Sequence, residues 1–311
     1  MIYEHTFTTL SGDEFVGFAA AIGATYALQG KLHWVDIDGK PCARITTEIA
    51  GKPSKIVSRY FSEIRGEIHP FIPTHKVKME EDSSNIAEIL AKMLEEHNTK
   101  EERPLRERAA GIAAVTPKTA KGEIPPSPMN VVMRYKIPLV VRKLHEVTTE
   151  HDFRATLDES RRNYSGNHKF AKFGFDQRGR YQNIGTDVSN IGCVADYGIE
   201  RLFAESLRFF TVAPAIEHRV KKHVRCVLWT KDGYTCAWPL WSQPLDLRTV
   251  ARLADQELVT KLVRVVEDDD EKLARVIRRK CEQIGITAVW GQSVTKNGKV
   301  FNVSLPRKYL L

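Results

Sequence analysis

The 311-residue chain has no stretch near the ~18 consecutive apolar residues of a membrane-spanning helix, which excludes a helical membrane anchor within it. Its opening, MIYEHTFTTLSGDEF, has no basic segment leading into an apolar one, so no export signal is expected and a cytoplasmic protein is. Cysteine is scarce. Cys42, Cys193, Cys226, Cys236 and Cys281 are odd in number, far apart and never spaced C-x-x-C, which excludes a disulfide framework and a structural zinc site. Also missing are G-x-x-x-x-G-K-[ST], G-x-S-x-G and H-E-x-x-H, so nucleotide hydrolysis, serine hydrolysis and zinc proteolysis have no foothold. No cofactor is implied.

What the chain does have is an uneven charge. The formal net charge is +8. Residues 1–128 hold 16 Lys+Arg against 18 Asp+Glu, a balance of −2, whereas residues 129–311 hold 31 against 21, a balance of +10. A polyanion-binding surface is therefore expected in the second part. The division falls at PKTAKGEIPPSP, 117–128, where Pro125, Pro126 and Pro128 forbid helix and interrupt a strand ladder. Two domains are expected: 1–128, a ferredoxin-like module with a helical insertion and a proline-rich linker, and 129–311, a basic α+β domain.

Residues 1–78 carry the pattern β-α-β-β-α-β of a ferredoxin-like fold. Residues 2–9 are strand-like, Ser11 and Glu14 have the spacing of a capping box, and a helix continues to about Leu28. Asp38-Gly39 then sits between two strand-like runs, as a tight hairpin requires. Residues 54–64 are helical, and the stretch toward Val77 supplies another strand. Two more helices are expected at 84–97 and 104–114.

The helix-then-hairpin order returns twice. A helix over 196–212 aligns Ile199, Leu202, Phe203, Leu207 and Phe210, and a hairpin follows about Asp232-Gly233. A helix over 271–284 stops at Gly285 before a hairpin about Asn297-Gly298. The acids Glu267 to Glu271 lie at the start of that helix, where the macrodipole favours them, so they are read as a solvated helix start and not as a Mg²⁺ site.

The strongest functional signal is SRRNYSGNHKFAKFGFDQRGRY, 160–181. Arg161, Arg162, Lys169, Lys172, Arg178 and Arg180 face a single acid, Asp176, and can neutralise phosphates. His168 also suits a phosphate contact. Of its aromatics, Phe173 and Phe175 alternate as core residues do, whereas Tyr164 and Phe170 are candidates for stacking on unpaired bases. HRVKKHVR, 218–225, extends the track with Arg219, Lys221, Lys222 and Arg225. Arg275, Arg278, Arg279 and Lys280 form a third cluster, read as a solvated helix face. His5 and His33 are the candidates for acid–base work if the chain were instead a metal-independent ribonuclease. A protein-interaction scaffold whose basic loop meets an acidic partner is the other alternative.

Two segments carry a family resemblance. SGDEFVGFAAAIGATYALQGKLHWVD, a glycine-containing helix before a tryptophan-bearing strand, resembles the opening of subunits of type I-U (I-G) CRISPR systems. YGIERLFAESLRFFTVAPA followed by TCAWPLWSQPLDLRTVARL resembles their later signature: a helix ending in an aromatic pair, a strand with W-x-x-P-L, and a further helix. The resemblance implies a non-catalytic subunit of an RNA-guided antiviral complex, with RNA or DNA and other subunits as partners. It transfers no catalytic residue.

Overall fold

In the computed structural model, residues 1–64, 129, 137–164, 172–176, 194–210, 212–214, 222–297 and 300–310 are described. They form a mixed α+β protein with antiparallel sheets. The first sheet consists of β1 (Tyr3–Ser11), β2 (Lys31–Ile37) and β3 (Lys40–Thr47), in the order β1-β3-β2. The hairpin turns at Asp38 and Gly39, with φ of +52° and +77°, and the Gly39 amide donates to Asp36 Oδ1 at 3.0 Å. Positive φ at both central residues matches the right-handed twist of the flanking strands.

Helix α1 (Phe15–Leu28) joins β1 to β2, and all its residues except Tyr26 are buried. It carries no charge, which is the composition of a helix surrounded by protein on every side. On one flank Phe18 stacks on Trp34 of β2, with ring centroids 6.0 Å apart. On another, Gly23 lies so close to α5 (Tyr197–Ser206) that an added Cβ would fall 1.8 Å from the Leu202 carbonyl oxygen. The expected capping box does not form. Ser11 is the last residue of β1, and its hydroxyl donates to Asp13, while Glu14 occupies the N-cap without a side-chain cap and binds Arg162.

Helix α2 (Pro53–Glu63) follows. The first sheet thus shows three strands. The fourth strand toward Val77, the helices at 84–97 and 104–114 and the proline-rich segment lie outside the described residues, so a ferredoxin-like module is not established. Next come α3 (Ile137–Val147), α4 (Glu150–Phe153) and a π-helical turn, Arg154–Asp158.

The second sheet contains β6 (Val227–Trp229), β7 (Gly233–Trp241), β8 (Ile286–Asn297), β9 (Val300–Val303) and β10 (Arg307–Leu310), with β6 beside β7 and with β9 and β10 both along the far edge of β8. Both expected hairpins are present, β6–β7 and β8–β9. Alternation along β7 sends Cys236, Trp238 and Leu240 into the core around α1, and Ala237 into a second core under α7 (Glu257–Glu267) and α8 (Glu271–Gln283). Helix α6 (Leu247–Ala254) precedes these two.

Two tryptophans tie the halves of the chain together. Trp238 Nε1 donates to the Gly12 carbonyl and Trp241 Nε1 to the Leu32 carbonyl, both at 2.7 Å. Leu32 and Leu245 exchange backbone hydrogen bonds of 2.9 and 3.0 Å. Residues on both sides of position 128 therefore share one core.

The helix expected over 196–212 ends at Ser206. Phe209 and Phe210 continue as tight turns and are fully buried, and Val212–Pro214 (β4) pairs with Lys222–Val224 (β5). A proline at 214 and the pull of two large rings into the core both work against further helix.

Candidate nucleic-acid interface

The basic loop begins where the π-helical turn ends. The Asp158 carboxylate accepts from the Ser54 amide at 3.1 Å and from its hydroxyl at 2.5 Å, fixing the turn to the start of α2. Thr9 on β1 donates to the Thr156 carbonyl at 2.6 Å. Glu159 N and Arg161 N then close onto the carbonyls of Arg154 and Ala155, both at 2.9 Å. The chain leaves this anchor pointed at the N-terminus of α5.

There the loop meets acids. Asp196, the N-cap of α5, accepts from the Ile199 amide at 3.1 Å, the Asn163 amide at 2.9 Å and the Thr156 hydroxyl at 3.3 Å. Asn163 Nδ2 donates to Asp152 at 3.1 Å. Arg162, whose side chain is 9% exposed, bridges Glu14 at 2.9 Å and Asp176 at 3.5 Å. Tyr164 donates its hydroxyl to the same Asp176 oxygen at 3.0 Å, so the outgoing arm, 161–164, is pinned to the returning arm, 172–176. On that returning arm Lys172 is buried, the Phe173 amide donates to Glu200 at 2.8 Å, and the Phe173 and Phe175 rings stack on Phe203 at 4.6 and 5.7 Å.

Electrostatics follow from this burial. Desolvation alone would lower the Arg162 pKa, but the carboxylates of Asp176 and Glu14 outweigh it and hold the guanidinium above its ordinary value. Burial pushes Asp196 up, opposed by Arg162 and by the hydrogen bonds it accepts. Glu200 is fully enclosed, and burial raises it to about 8, so its carboxyl is protonated at neutral pH despite the Phe173 amide and nearby Lys172. This junction holds a loop in place. Among the described residues no group of histidines, cysteines and acids is placed to hold a metal ion.

The residues expected to form one basic track divide into three sets. Arg162, Tyr164, Lys172 and Arg225 are engaged within the protein. Arg225 forks onto the Asp255 carboxylate with two bonds of 2.7 Å, donates to the Phe209 carbonyl and lies 4.8 Å above the Phe209 ring, which joins the β5–β6 turn to the end of α6. Arg161 is exposed and forms a 3.1 Å ion pair with Glu159. His168, Lys169, Phe170, Arg178, Arg180, Arg219 and Lys221 lie outside the described residues, as does the side chain of Lys222, whose backbone belongs to β5. The role of Phe173 and Phe175 as core residues is as expected.

His5 and His33 do not form a paired site. His5 lies opposite Ile45 on the inner face of the first sheet, and His33 lies opposite Arg44 on the outer face. Burial lowers the pKa of both. Of the acids Glu267 to Glu271, Asp270 caps α8 by accepting from the Leu273 amide at 3.0 Å and Glu271 lies in its first turn, as expected of a helix start, whereas Glu267 ends α7 and Asp268 is its C-cap.

Sequence reasoning missed the residues that receive the loop. Asp196 could have been found as an N-cap, and Glu200 as an acid on the apolar side of α5 between Ile199 and Phe203. Compared with family models, curated proteins and solved structures, the chain matches none. No helix among the described residues is long and apolar enough to cross a membrane.

Proposed function

We propose that this protein is a cytoplasmic, non-catalytic nucleic-acid-binding subunit of an RNA-guided, CRISPR type I interference complex, built on a ferredoxin-like N-terminal module. The observation that carries the reading is the balance of +10 in residues 129–311. Ion pairing within the segment cannot consume it, because each internal pair removes one base together with one acid. The Arg162–Asp176 and Arg225–Asp255 pairs leave the excess intact, and Arg162–Glu14 draws on a carboxylate from outside the segment.

The anchored loop gives this charge a fixed mount. With its two arms held at Asp196, Asp176 and Glu200, the intervening His168, Lys169 and Phe170, together with Arg178 and Arg180 beyond the returning arm, meet the polyanion. Arg219, Lys221 and Lys222 extend the contact. Arg162, Lys172 and Tyr164 support the mount, and Arg225 is held by Asp255, instead of touching phosphate. Guide pairing reads sequence, and the protein reads backbone and shape.

Filter binding of a single-stranded RNA against salt tests this. Each lost phosphate contact lowers the log–log slope by about 0.7 to 1. A Lys169/Arg178/Arg180→Ala variant is expected to lose about two to three units of slope while keeping its urea midpoint. An unchanged slope sinks the reading.

A further inference from the structure

Register fixes what the outer face of the first sheet presents. Thr6 lies opposite Arg44 and Arg44 opposite His33, one row across three strands, and Glu4, Thr46 and Lys31 form the next row. Side chains directly opposite each other in antiparallel strands stand about 4.5–5.5 Å apart at Cβ, so the two rows make one patch. Its charge is Arg44 and Lys31 against the single carboxylate of Glu4. This local excess of cations lies in the part of the chain whose overall balance is −2.

Three side chains of the patch have bonding capacity that the protein does not use. Arg44 Nε donates to Thr6 Oγ1 at 2.8 Å, and among the described residues no carboxylate pairs with its guanidinium, which leaves both Nη nitrogens free to donate. The Thr46 hydroxyl and His33 Nδ1 are buried without a hydrogen-bond partner, and His33 as a whole is only 7% exposed. Burial, helped by Arg44, holds His33 below its ordinary pKa against the pull of Glu4, so the imidazole is neutral and offers one N–H, which Nδ1 can carry. A buried polar atom with no partner costs free energy, and a ligand held by these groups removes that cost.

The donor types narrow the ligand. A carboxylate has two oxygens in one plane, which a guanidinium alone can satisfy, whereas a guanidinium, a hydroxyl and an imidazole together suit the tetrahedral oxygens of a phosphate. We propose that the outer face of the first sheet is a phosphate-binding site, in which Arg44, Thr46 and His33 hold the oxygens and Lys31 adds positive charge at the rim. Glu4, in the same row as Lys31, limits the affinity through like charge. The phosphate belongs either to the backbone of a single-stranded nucleic acid or to a free phosphate, since the recognising chemistry is the same. The site is separate from the basic loop and does not rest on that loop's role.

Isothermal titration of the full chain at low salt with inorganic phosphate, acetate and a uridine tetranucleotide tests this. Phosphate is expected to bind, and acetate about tenfold more weakly. A tetranucleotide that binds at least as tightly as phosphate identifies a nucleic-acid backbone as the source; one that fails where phosphate binds identifies a free phosphate. Arg44→Gln and His33→Phe are each expected to weaken phosphate binding about tenfold, whereas Glu4→Gln tightens it about two- to fivefold by removing a like charge. Lys31→Ala weakens it about two- to threefold. Glu4 and Lys31 are exposed, so their variants keep the fold, and the urea midpoint verifies the other two. Absence of phosphate binding overturns the proposal, as does acetate binding equally well or an affinity indifferent to Arg44→Gln and Glu4→Gln. The Lys169/Arg178/Arg180→Ala variant is expected to bind phosphate as wild type does. If it loses phosphate while Arg44→Gln keeps it, the anion sits on the basic loop and the proposal fails, with the nucleic-acid reading standing.

Discussion

Helices α1 and α8 each open a helix-then-hairpin unit, and each has a Glu–Arg ion pair at its start. At α1 the pair is Glu14–Arg162, at 2.9 Å, with the arginine 9% exposed. At α8 it is Glu271–Arg278, at 2.6 Å, with the glutamate 62% exposed. The shorter pair is the weaker one. In water two charges at contact gain little beyond what hydration already supplies, whereas a charge enclosed by protein has lost its hydration and depends on its partners. The helices themselves differ in the same sense: α1 is uncharged and buried on every side, while α8 buries one stripe and leaves the rest to solvent.

Four measurements sharpen this contrast. Arg162→Ala removes the buried cation shared by Glu14 and Asp176 and is expected to lower stability by about 3–5 kcal/mol, read from urea unfolding. A loss below about 1 kcal/mol would mean that the junction is wetter than its burial implies.

Glu200 supplies the next effect, through pH. Its folded-state pKa of about 8 lies above the ordinary carboxylate value, so the folded chain binds more protons than the unfolded one between about pH 4.5 and 8. Stability from this group is fully present below that window and is lost as pH rises through it, by a few kcal/mol in total. Glu200→Gln, which stays neutral throughout, is expected to flatten the decline and to melt higher than wild type at pH 8.5. Equal slopes for the two proteins between pH 5 and 8 would exclude a protonated Glu200.

Gly23→Ala comes third. The new methyl overlaps the Leu202 main chain, and α1 and α5 must move apart, at a cost of about 1–3 kcal/mol. The smallest change is expected from Arg278→Ala, which breaks the exposed pair on α8 at less than about 1 kcal/mol. Should the two ion-pair variants cost the same, the burial argument loses its basis.

Much of the architecture was legible because it depends on neighbours in sequence. Asp38-Gly39 announces its hairpin through backbone sterics alone, and the spacing of Ala274, Ile277 and Cys281 marks the inner face of α8. Local signals also misled where distant residues compete. Ser11 and Glu14 have the spacing of a capping box, but the strand ladder takes Ser11 and Arg162, nearly 150 positions away, takes Glu14. The helix expected through 212 stops at Ser206 because burial of Phe209 and Phe210 and pairing of β4 with β5 prevail over the local pattern.

The candidate interface shows the same division. Composition identified the cationic loop, since a count of charges is independent of folding. It did not reveal that Arg162 and Arg225 are consumed internally, because Glu14 and Asp255 approach them only after the chain has turned back on itself, nor that Lys172 is buried. The sequence by itself determined the turns, the helix faces and the excess of positive charge, all properties of adjacent residues or of totals. Tertiary structure alone decided which cations remain for a partner, because the worth of a charge is set by its distance from water and from opposite charges.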